Sequence, residues 1–499
     1  MKPRTILVGI GVLFVAVQFV GIHRPFLRHR EGIATQYALM AENHVRLGYG
    51  RTKFASYETA AVDPALYGDW RKYCYPNRPF LSVVATSIWF QVFGDREWVL
   101  RLSLIVVGLG AWIAFVALAR KLLDPKGVPW AAALFALNPM FWYFSIVVAH
   151  LTYALAFSLA AWACWVRWDE SKRYRVLTFV FLALACESDW PGYYATLAIA
   201  QDAFFQKRRE LAFGLFSIGL ACFGLHVAHL SLIDPKLVSK LLHAGSERSL
   251  EVFPSPFAFL FGEAREIGLY FTAGLLVLAV AGLRSLPRRI WLLALMGLDE
   301  ILFLRWAAEH DFLTYGLTPF MVLAAVHGIE VLSRSPRGAL AAKALVALAG
   351  LQAVWIMSDR LTRTGAFEVY YRAGRAIEEG TRPDDRILLT LPDVRQFTPY
   401  YARRYTAAIE QDGRTLMVHP SGGGVTVEHV EDLEPFFKDY SVVAVGDPSL
   451  AASEIGFFKG QRPPEAFRFL GPEHPLRKKL EAIAVSKETR GAFVLYRLR

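Results

Sequence analysis

The sequence predicts a polytopic α-helical membrane protein of about eleven transmembrane helices, with a C-terminal α/β domain outside the membrane. Three observations carry that prediction. In a chain of 499 residues that is 54% hydrophobic, apolar runs repeatedly approach the roughly 20 residues that cross a bilayer. Short Lys and Arg clusters fall between those runs, and such clusters stay on the cytoplasmic side. From about residue 365 the apolar runs shrink to strand length and alternate with helical patterns.

The first apolar segment, ILVGIGVLFVAVQFVGI from Ile6 to Ile22, follows Lys2 and Arg4 and lacks an A-x-A-like cleavage site. It reads as an uncleaved signal anchor with a cytoplasmic N-terminus. The basic clusters then fix the inside points: Arg120, Lys121 and Lys126; Arg167, Lys172, Arg173 and Arg175; Lys207, Arg208 and Arg209; Arg284, Arg288 and Arg289; Arg334, Arg337 and Lys343. Threading through them gives spans near 6–22, 98–119, 129–148, 151–168, 175–188, 190–205, 211–233, 266–284, 289–304, 312–333 and 338–357. An odd number of crossings leaves the C-terminus outside. Segment 79–94 is apolar but short, and counting it as a span would turn every basic cluster outward, so it is expected to lie in the outer interface as an amphipathic helix. Segments 175–188 and 190–205 are also short, which suggests tilted or re-entrant helices.

The expected domains are a transmembrane part, 1–364, with a long outer loop at 23–97, and a soluble extracytoplasmic domain, 365–499. The loop carries many cations, among them Arg24, Arg28, Arg30, Lys53 and Arg78, yet a long loop is translocated regardless of charge. Residues 366–499 hold as many acidic as basic side chains, so the net charge of +11 belongs to the membrane part. An outward-facing surface of that sign suits membrane lipid phosphate and excludes nucleic acid as a partner. Cys164, Cys186 and Cys222 fall in or beside spans and Cys74 in the loop, so neither a disulfide framework nor a CxxC metal site is indicated.

In the C-terminal domain RILLTL (386–391), TLMVH (415–419), SVVAVG (441–446) and AFVLYRL (492–498) read as strands. EVYYRAGRAIEEG (368–380) and VEHVEDLEPFFKDY (427–440) read as helices. The alternation predicts a largely parallel sheet. A GGG at 422–424 before one such helix is either an anion cradle or an ordinary flexible turn.

Within RHREGIATQYALMAEN (28–43) and just beyond it, Ile33, Tyr37, Met40, His44 and Leu47 recur at helical spacing, with Gly48 as a C-cap and Glu31 at the N-terminal end. The helix dipole favours a carboxylate there. Glu31 is therefore either a residue that only stabilises a surface helix or a general base at the membrane surface. The threading sends further polar groups to the same side: Lys53, Arg78, Arg101, His150, Glu187, Asp189, Arg305, Glu309, His310 and Asp311. Ionisable groups at span ends can simply anchor in the interface, but so many on one side point to a shared site.

The order and spacing of HREGIATQYALMAENHVRLGYGRTKFA (29–55), YPNRPFLSVVATSIWFQVFGDREWVLRLS (75–103), ALFALNPMFWYFSIVVAHLTYALAF (133–157), SDWPGYY (188–194) and AAEHDFLTYGLTP (307–319) resemble the bacterial GT-C membrane glycosyltransferases. The groups most similar are those of the protein O-mannosyltransferases and the lipid A aminoarabinose transferase. The resemblance implies an enzyme of the bacterial cytoplasmic (inner) membrane that takes a sugar from a polyprenyl-phosphate donor in the outer leaflet and passes it, with inversion, to a lipid, glycan or protein acceptor. It implies that the acidic residue of the first outer loop, here Glu31, is the catalytic base.

The chemistry is coherent on its own terms. A sugar on a lipid phosphate already has a good leaving group, so transfer needs a base for the acceptor hydroxyl and cations for the departing phosphate. Glu31 suits the first role, and Lys53, Arg78 and Arg101 the second. His150, Asp189, Trp190, Tyr193, His310 and Asp311 are candidates for substrate contact. Each has a plainer reading: Lys53 as a solvated loop lysine, Arg101 as an interfacial anchor, Trp190, Tyr193 and Tyr194 as an aromatic belt, and His310 and Asp311 as helix-end hydrogen bonders. No cofactor is required, although Glu187 with Asp189, or Glu309 with Asp311, has the spacing to grip a hard divalent cation. The chain departs from its relatives at Leu151, where many carry an acidic residue after the histidine, and at Arg30-Glu31, where an Asp-Glu pair is common. Those departures keep open a catalytically silent scaffold that binds lipid-linked glycan. A glycolipid transporter is the third reading; it should show internal repeats, and none is seen.

Overall fold

The structure, a computed structural model, describes residues 3–60, 70–250, 256–298, 302, 310–362, 368–390, 397–412, 415–420, 428–430, 437–453 and 470–498. Contacts divide the chain into two units. Met1–Ile22, Pro76–Ser82 and Arg101–Thr362 form the first; His23–Tyr75, Val83–Leu100 and Arg363–Arg499 form the second.

The first unit is helical, and helical segments lie at each of the expected spans. Among the described residues four are long and apolar enough to cross a membrane unaided: Glu97–Leu122, Arg209–Ile233, Leu313–Leu332 and Pro336–Thr362. A fifth arises if Ala264–Tyr270 and Ala273–Ser285, bent by 101°, count as one broken span. The other expected spans are shorter helices or interrupted ones, for local reasons. The segment expected at 129–148 stops at Leu137 and restarts at Pro139, because Asn138 accepts from the Phe141 amide (3.2 Å) and Pro139 opens the next turn. The 101° bend falls where Thr272 takes a φ of 65° and caps the following helix through the Leu275 amide.

Aromatic rings fill the interior of this unit: Phe115 stacks on Phe135 (4.1 Å), Phe135 meets Phe141 at a tilt (4.2 Å) and Phe141 stacks on Phe14 (5.4 Å). Such ring pairs add to plain area burial. Outward, Phe213, Leu220, Leu225 and Leu232 of Arg209–Ile233 are largely exposed, as a lipid-facing surface requires. The helices Lys172–Cys186 and Trp190–Phe205 meet in a tight turn over Glu187–Asp189. Gly192 makes that turn possible, since a Cβ there would sit 2.2 Å from the backbone of Ala185.

Segment 79–94 forms the helix Leu81–Phe93, too short to cross. Ser82, Thr86 and Ser87 are buried while Ile88, Val92 and Phe93 are exposed, so its apolar side faces outward, the pattern of a helix resting in lipid.

The second unit joins the loop helix Glu31–Leu47 to a seven-stranded sheet. The strands are β1 (Arg386–Leu389), β2 (Tyr405–Asp412), β3 (Thr415–Pro420), β4 (Glu428–Val430), β5 (Val442–Gly446), β6 (Ser486–Arg490) and β7 (Phe493–Arg497), in the order β4-β3-β2-β1-β5-β7-β6. The expectation of a largely parallel sheet is corrected. Only β1 with β2 and β1 with β5 run parallel; the other four pairings are antiparallel. The cause is connection length, because parallel neighbours need a crossover of a dozen residues while only two residues separate β2 from β3 and β6 from β7. Gly491 supplies the left-handed φ of 53° in the second turn. Two strands, β2 and β6, were not expected, and residues 428–430 are strand where a helix over 427–440 was. The helix expected at 368–380 is present as Glu368–Gly380. The GGG at 422–424 lies outside the described residues.

Loop and sheet share a core. Ala60 and Tyr73 pack with Leu388, Tyr405, Val443 and Tyr496. The Phe26 amide donates to the Tyr401 hydroxyl (2.8 Å), and the ring of Phe26 meets Tyr400. Farther along the loop helix, buried Glu42 meets Arg46 (2.7 Å) and Arg403 (3.9 Å), and both arginines also reach Asp95. Burial is the largest influence on Glu42 and lifts its pKa to about 8, against the pull of Arg46 and Arg403; a hydrogen bond with Asp95 adds to the rise. Burial pushes Asp95 up as well, but there the hydrogen bonds from Arg46 and Glu42 win and hold it below the ordinary value.

Glu42 therefore keeps a proton in the folded chain that the unfolded chain releases above its ordinary 4.5. Stability of this unit is expected to fall as pH rises from about 4.5 to about 8. Thermal unfolding across that range should show the slope in wild type and a flatter profile in Glu42→Gln.

Candidate functional site

In the first unit the short segment Pro76–Ser82 is tied down at four of its residues. The His226 ring nitrogen Nε2 bonds to the Pro76 carbonyl (3.1 Å), and Trp190 Nε1 donates to the Asn77 carbonyl (3.1 Å). Arg78 Nη1 donates to both carboxylate oxygens of Asp189 at 2.5 Å, and the Leu81 amide donates to the Glu187 carbonyl (3.1 Å). Asp189 stands at the N-cap of Trp190–Phe205 but caps nothing with its side chain; its carboxylate turns to Arg78 instead. Both partners are buried.

His150, in the first turn of Ala149–Trp165, brings Nε2 to 3.8 Å from Asp189 Oδ2, and its ring lies edge-on to Phe312. Phe312 also meets His310. Next in sequence, buried Asp311 accepts from the Tyr270 hydroxyl (2.6 Å), which in turn accepts from Arg360 Nη2 (2.7 Å). Arg78, His150, Asp189, Trp190, His310 and Asp311 thus form one neighbourhood, linked through Phe312. Trp190 is hemmed in by Tyr193, Phe223 and His226. Arg101 is fully buried, with Nη1 donating to the Ile22 carbonyl (2.8 Å).

In the second unit Glu31 opens the helix Glu31–Leu47 as expected, and Gly48 closes it with a φ of 82° and its amide on the His44 carbonyl. Arg30 precedes it with a left-handed φ of 60°. Glu31 is 1% exposed, and its Oε2 accepts from the Arg28 amide (2.7 Å). The same helix holds the rest of the loop. Asn43 Nδ2 donates to the carbonyls of Tyr57 (2.9 Å) and Thr59 (2.8 Å), and His44 Nδ1 meets Thr52 Oγ1 (2.8 Å). Burial lowers the His44 pKa to about 4, so its ring is neutral. Lys53 is exposed, and both it and Phe54 take left-handed φ angles of 50° and 59°. Two consecutive non-glycine residues in that region cost about 1–3 kcal/mol each, strain of a kind that clusters at ligand clamps.

Sequence reasoning missed Tyr270, Arg360 and His226. Arg360 carried a usable signal, an arginine beside Asp359 near the end of an apolar span; Tyr270 and His226 did not. Among the described residues no group of three or more His, Cys, Asp or Glu side chains could hold a metal ion. Glu309 and Arg305 lie outside the described residues, and in the Glu187/Asp189 pair both Asp189 oxygens are engaged by Arg78.

No family model matches the chain, and no curated protein matches its sequence. Solved structures do. ArnT from Cupriavidus metallidurans bound to undecaprenyl phosphate is similar with a TM-score of 0.64 at 14% identity, over 99% of this chain and 98% of that one. Its apo state gives the same values. An oligosaccharyltransferase from Archaeoglobus fulgidus, in complex with Zn and sulfate, is similar with a TM-score of 0.53 at 15% identity, over 80% of this chain and 62% of that one. The chain therefore shares the fold of ArnT along nearly its whole length and that of the oligosaccharyltransferase over four-fifths of it.

Breaking the buried Arg78–Asp189 pair from either side is expected to cost about 3–5 kcal/mol, because the survivor is left buried and uncompensated. Unfolding of Arg78→Gln, Asp189→Asn and the apolar double variant Arg78→Met/Asp189→Leu in detergent should show the double variant losing less than the two singles summed.

Proposed function

We propose that this chain is a glycosyltransferase that moves a sugar from a polyprenyl-phosphate donor to an acceptor at the outer face of the bacterial cytoplasmic membrane. The observation that carries the reading is the likeness, end to end, to ArnT bound to undecaprenyl phosphate. The basic clusters between spans support about eleven crossings with a cytoplasmic N-terminus and an extracytoplasmic C-terminal domain.

In this reading Glu31 takes the proton of the acceptor hydroxyl as that oxygen attacks the sugar carbon. The bond to the lipid phosphate breaks on the opposite face, the configuration inverts, and the polyprenyl phosphate leaves with the bonding electrons. Lys53, Arg78 and Arg101 stabilise the charge that gathers on the phosphate. Asp189 fixes the plane of the Arg78 guanidinium, an ordering made before substrate arrives. The left-handed turn at Lys53–Phe54 holds the lysine out from the loop in the same spirit. His150, Trp190, Tyr193, His310 and Asp311 contribute to substrate binding.

A second reading, a silent binder of lipid-linked glycan, is favoured by two observations. Glu31 Oε2 is engaged by the Arg28 amide, as a purely structural helix-end carboxylate would be. Leu151 stands where relatives often carry an acid.

Turnover of a panel of radiolabelled polyprenyl-phosphate sugars by purified protein, with and without EDTA, separates the two. Wild type is expected to transfer or hydrolyse one donor, and Glu31→Gln to lose at least about 10²-fold while unfolding at a similar temperature. A donor bound but not turned over by wild type, with membrane extract present as acceptor, would establish the silent binder.

A further inference from the structure

The helix Trp190–Phe205 carries a second buried carboxylate, Asp202, thirteen residues after Asp189 and so about 20 Å along the axis from it. Nothing in the proposed transfer uses it. Asp202 has no exposed surface, and four side chains converge on it: Trp165 Nε1 (2.8 Å), Gln206 Nε2 (2.6 Å), Arg289 Nε (2.9 Å) and Arg288 Nη2 (3.5 Å).

This arrangement is not neutral. One carboxylate faces two guanidinium groups, leaving a surplus of one positive charge held in place by a buried anchor. Neither arginine is buried in its turn: their side chains are 52% and 37% exposed at Arg288 and Arg289. Arg289 meets the carboxylate through Nε, and its side chain is more than one-third exposed. Arg288 lies over the ring of Phe205 at 4.8 Å. The neighbouring Arg208 is matched by Asp169 (2.6 Å) and does not add to the surplus.

Exposed aromatic rings stand on the two helices that carry Asp202 and these cations. Phe204, Phe205 and Trp291 are each more than two-fifths exposed. Fixed guanidinium groups with one excess charge, bordered by exposed aromatic rings on the same elements, match a molecule with a phosphodiester head and hydrocarbon tails.

We propose that Arg288 and Arg289, oriented by Asp202, form a binding site for the headgroup phosphate of an anionic membrane phospholipid of the phosphatidylglycerol class, whose acyl chains lie on Phe204, Phe205 and Trp291. The single negative charge of such a head equals the surplus at the site. The site stands at the far end of the helix from Asp189, and it depends on no assumption about the donor or the acceptor.

The test is lipid retention by the full chain in nanodiscs of phosphatidylcholine doped with phosphatidylglycerol, read by native mass spectrometry. Arg288→Gln/Arg289→Gln is expected to lower retained phosphatidylglycerol about tenfold or more, the scale of charge-assisted hydrogen bonds to phosphate lost at a defined site. The control Arg334→Gln/Arg337→Gln removes the same charge from another exposed basic cluster and is expected to leave retention unchanged. Should the first double variant fold poorly, Arg288→Gln alone is expected to lose about fivefold. Equal losses in both pairs would mean diffuse attraction rather than a site and would overturn the proposal, as would full retention in the arginine variants that fold.

Discussion

The ion pair between Arg78 and Asp189 is the constraint on which the polar end of the helical unit depends. Taking two charges out of water is costly unless each satisfies the other, so burying Asp189 obliges the chain to bring a cation to it. That cation arrives on a short non-helical segment from another part of the sequence. Once Arg78 is fixed, Pro76, Asn77 and Leu81 fall into bonding range of His226, Trp190 and the Glu187 carbonyl. Gly192 lets the turn that presents Asp189 close tightly enough for this to happen. A single buried carboxylate thereby aligns residues from three helices and one connecting segment.

The loop unit follows the same principle with different groups. Its helix Glu31–Leu47 is buried along most of its length and offers polar side chains inward: Glu31 to a backbone amide, Asn43 to two carbonyls, His44 to a threonine, Glu42 to two arginines. A helix with so many buried polar groups is held by specific partners more than by apolar area, which makes the loop a defined platform rather than a flexible connection. Lys53 and Phe54 sit at its rim in a strained conformation that such a platform can sustain.

Helix positions in the membrane part were legible from hydropathy because a lipid environment permits few alternatives to helices. The interruptions were less so. The span expected over 129–148 was continuous although Pro139 lies within it, and the 101° bend at Thr272 depends on a tertiary setting that a run of apolar residues does not encode. In the sheet, β1, β5 and β7 were readable as short β-branched runs, whereas β6 is SKETR, exposed along its length and paired on one side only, so it carries no apolar alternation to detect. The parallel character is missed because alternating strand and helix suggests crossovers, while the two antiparallel pairs are marked only by the two residues that separate their strands. At the candidate site, the charged residues near span ends were found by the rule that ionisable groups in a membrane segment need a reason to be there. Their pairing was not legible, since nothing in one sequence says that Arg78 meets Asp189 or that Asp311 meets Tyr270.

The central claim is that the chain holds a polyprenyl phosphate through its cations and keeps Glu31 for the proton. Equilibrium binding of undecaprenyl phosphate to the purified protein tests it most directly. The account predicts that wild type and Glu31→Gln bind alike, while Lys53→Ala binds about tenfold more weakly, the scale of one charge-assisted contact. Failure of the wild type to bind the lipid phosphate, or loss of binding in Glu31→Gln with the lysine variant unaffected, would contradict it.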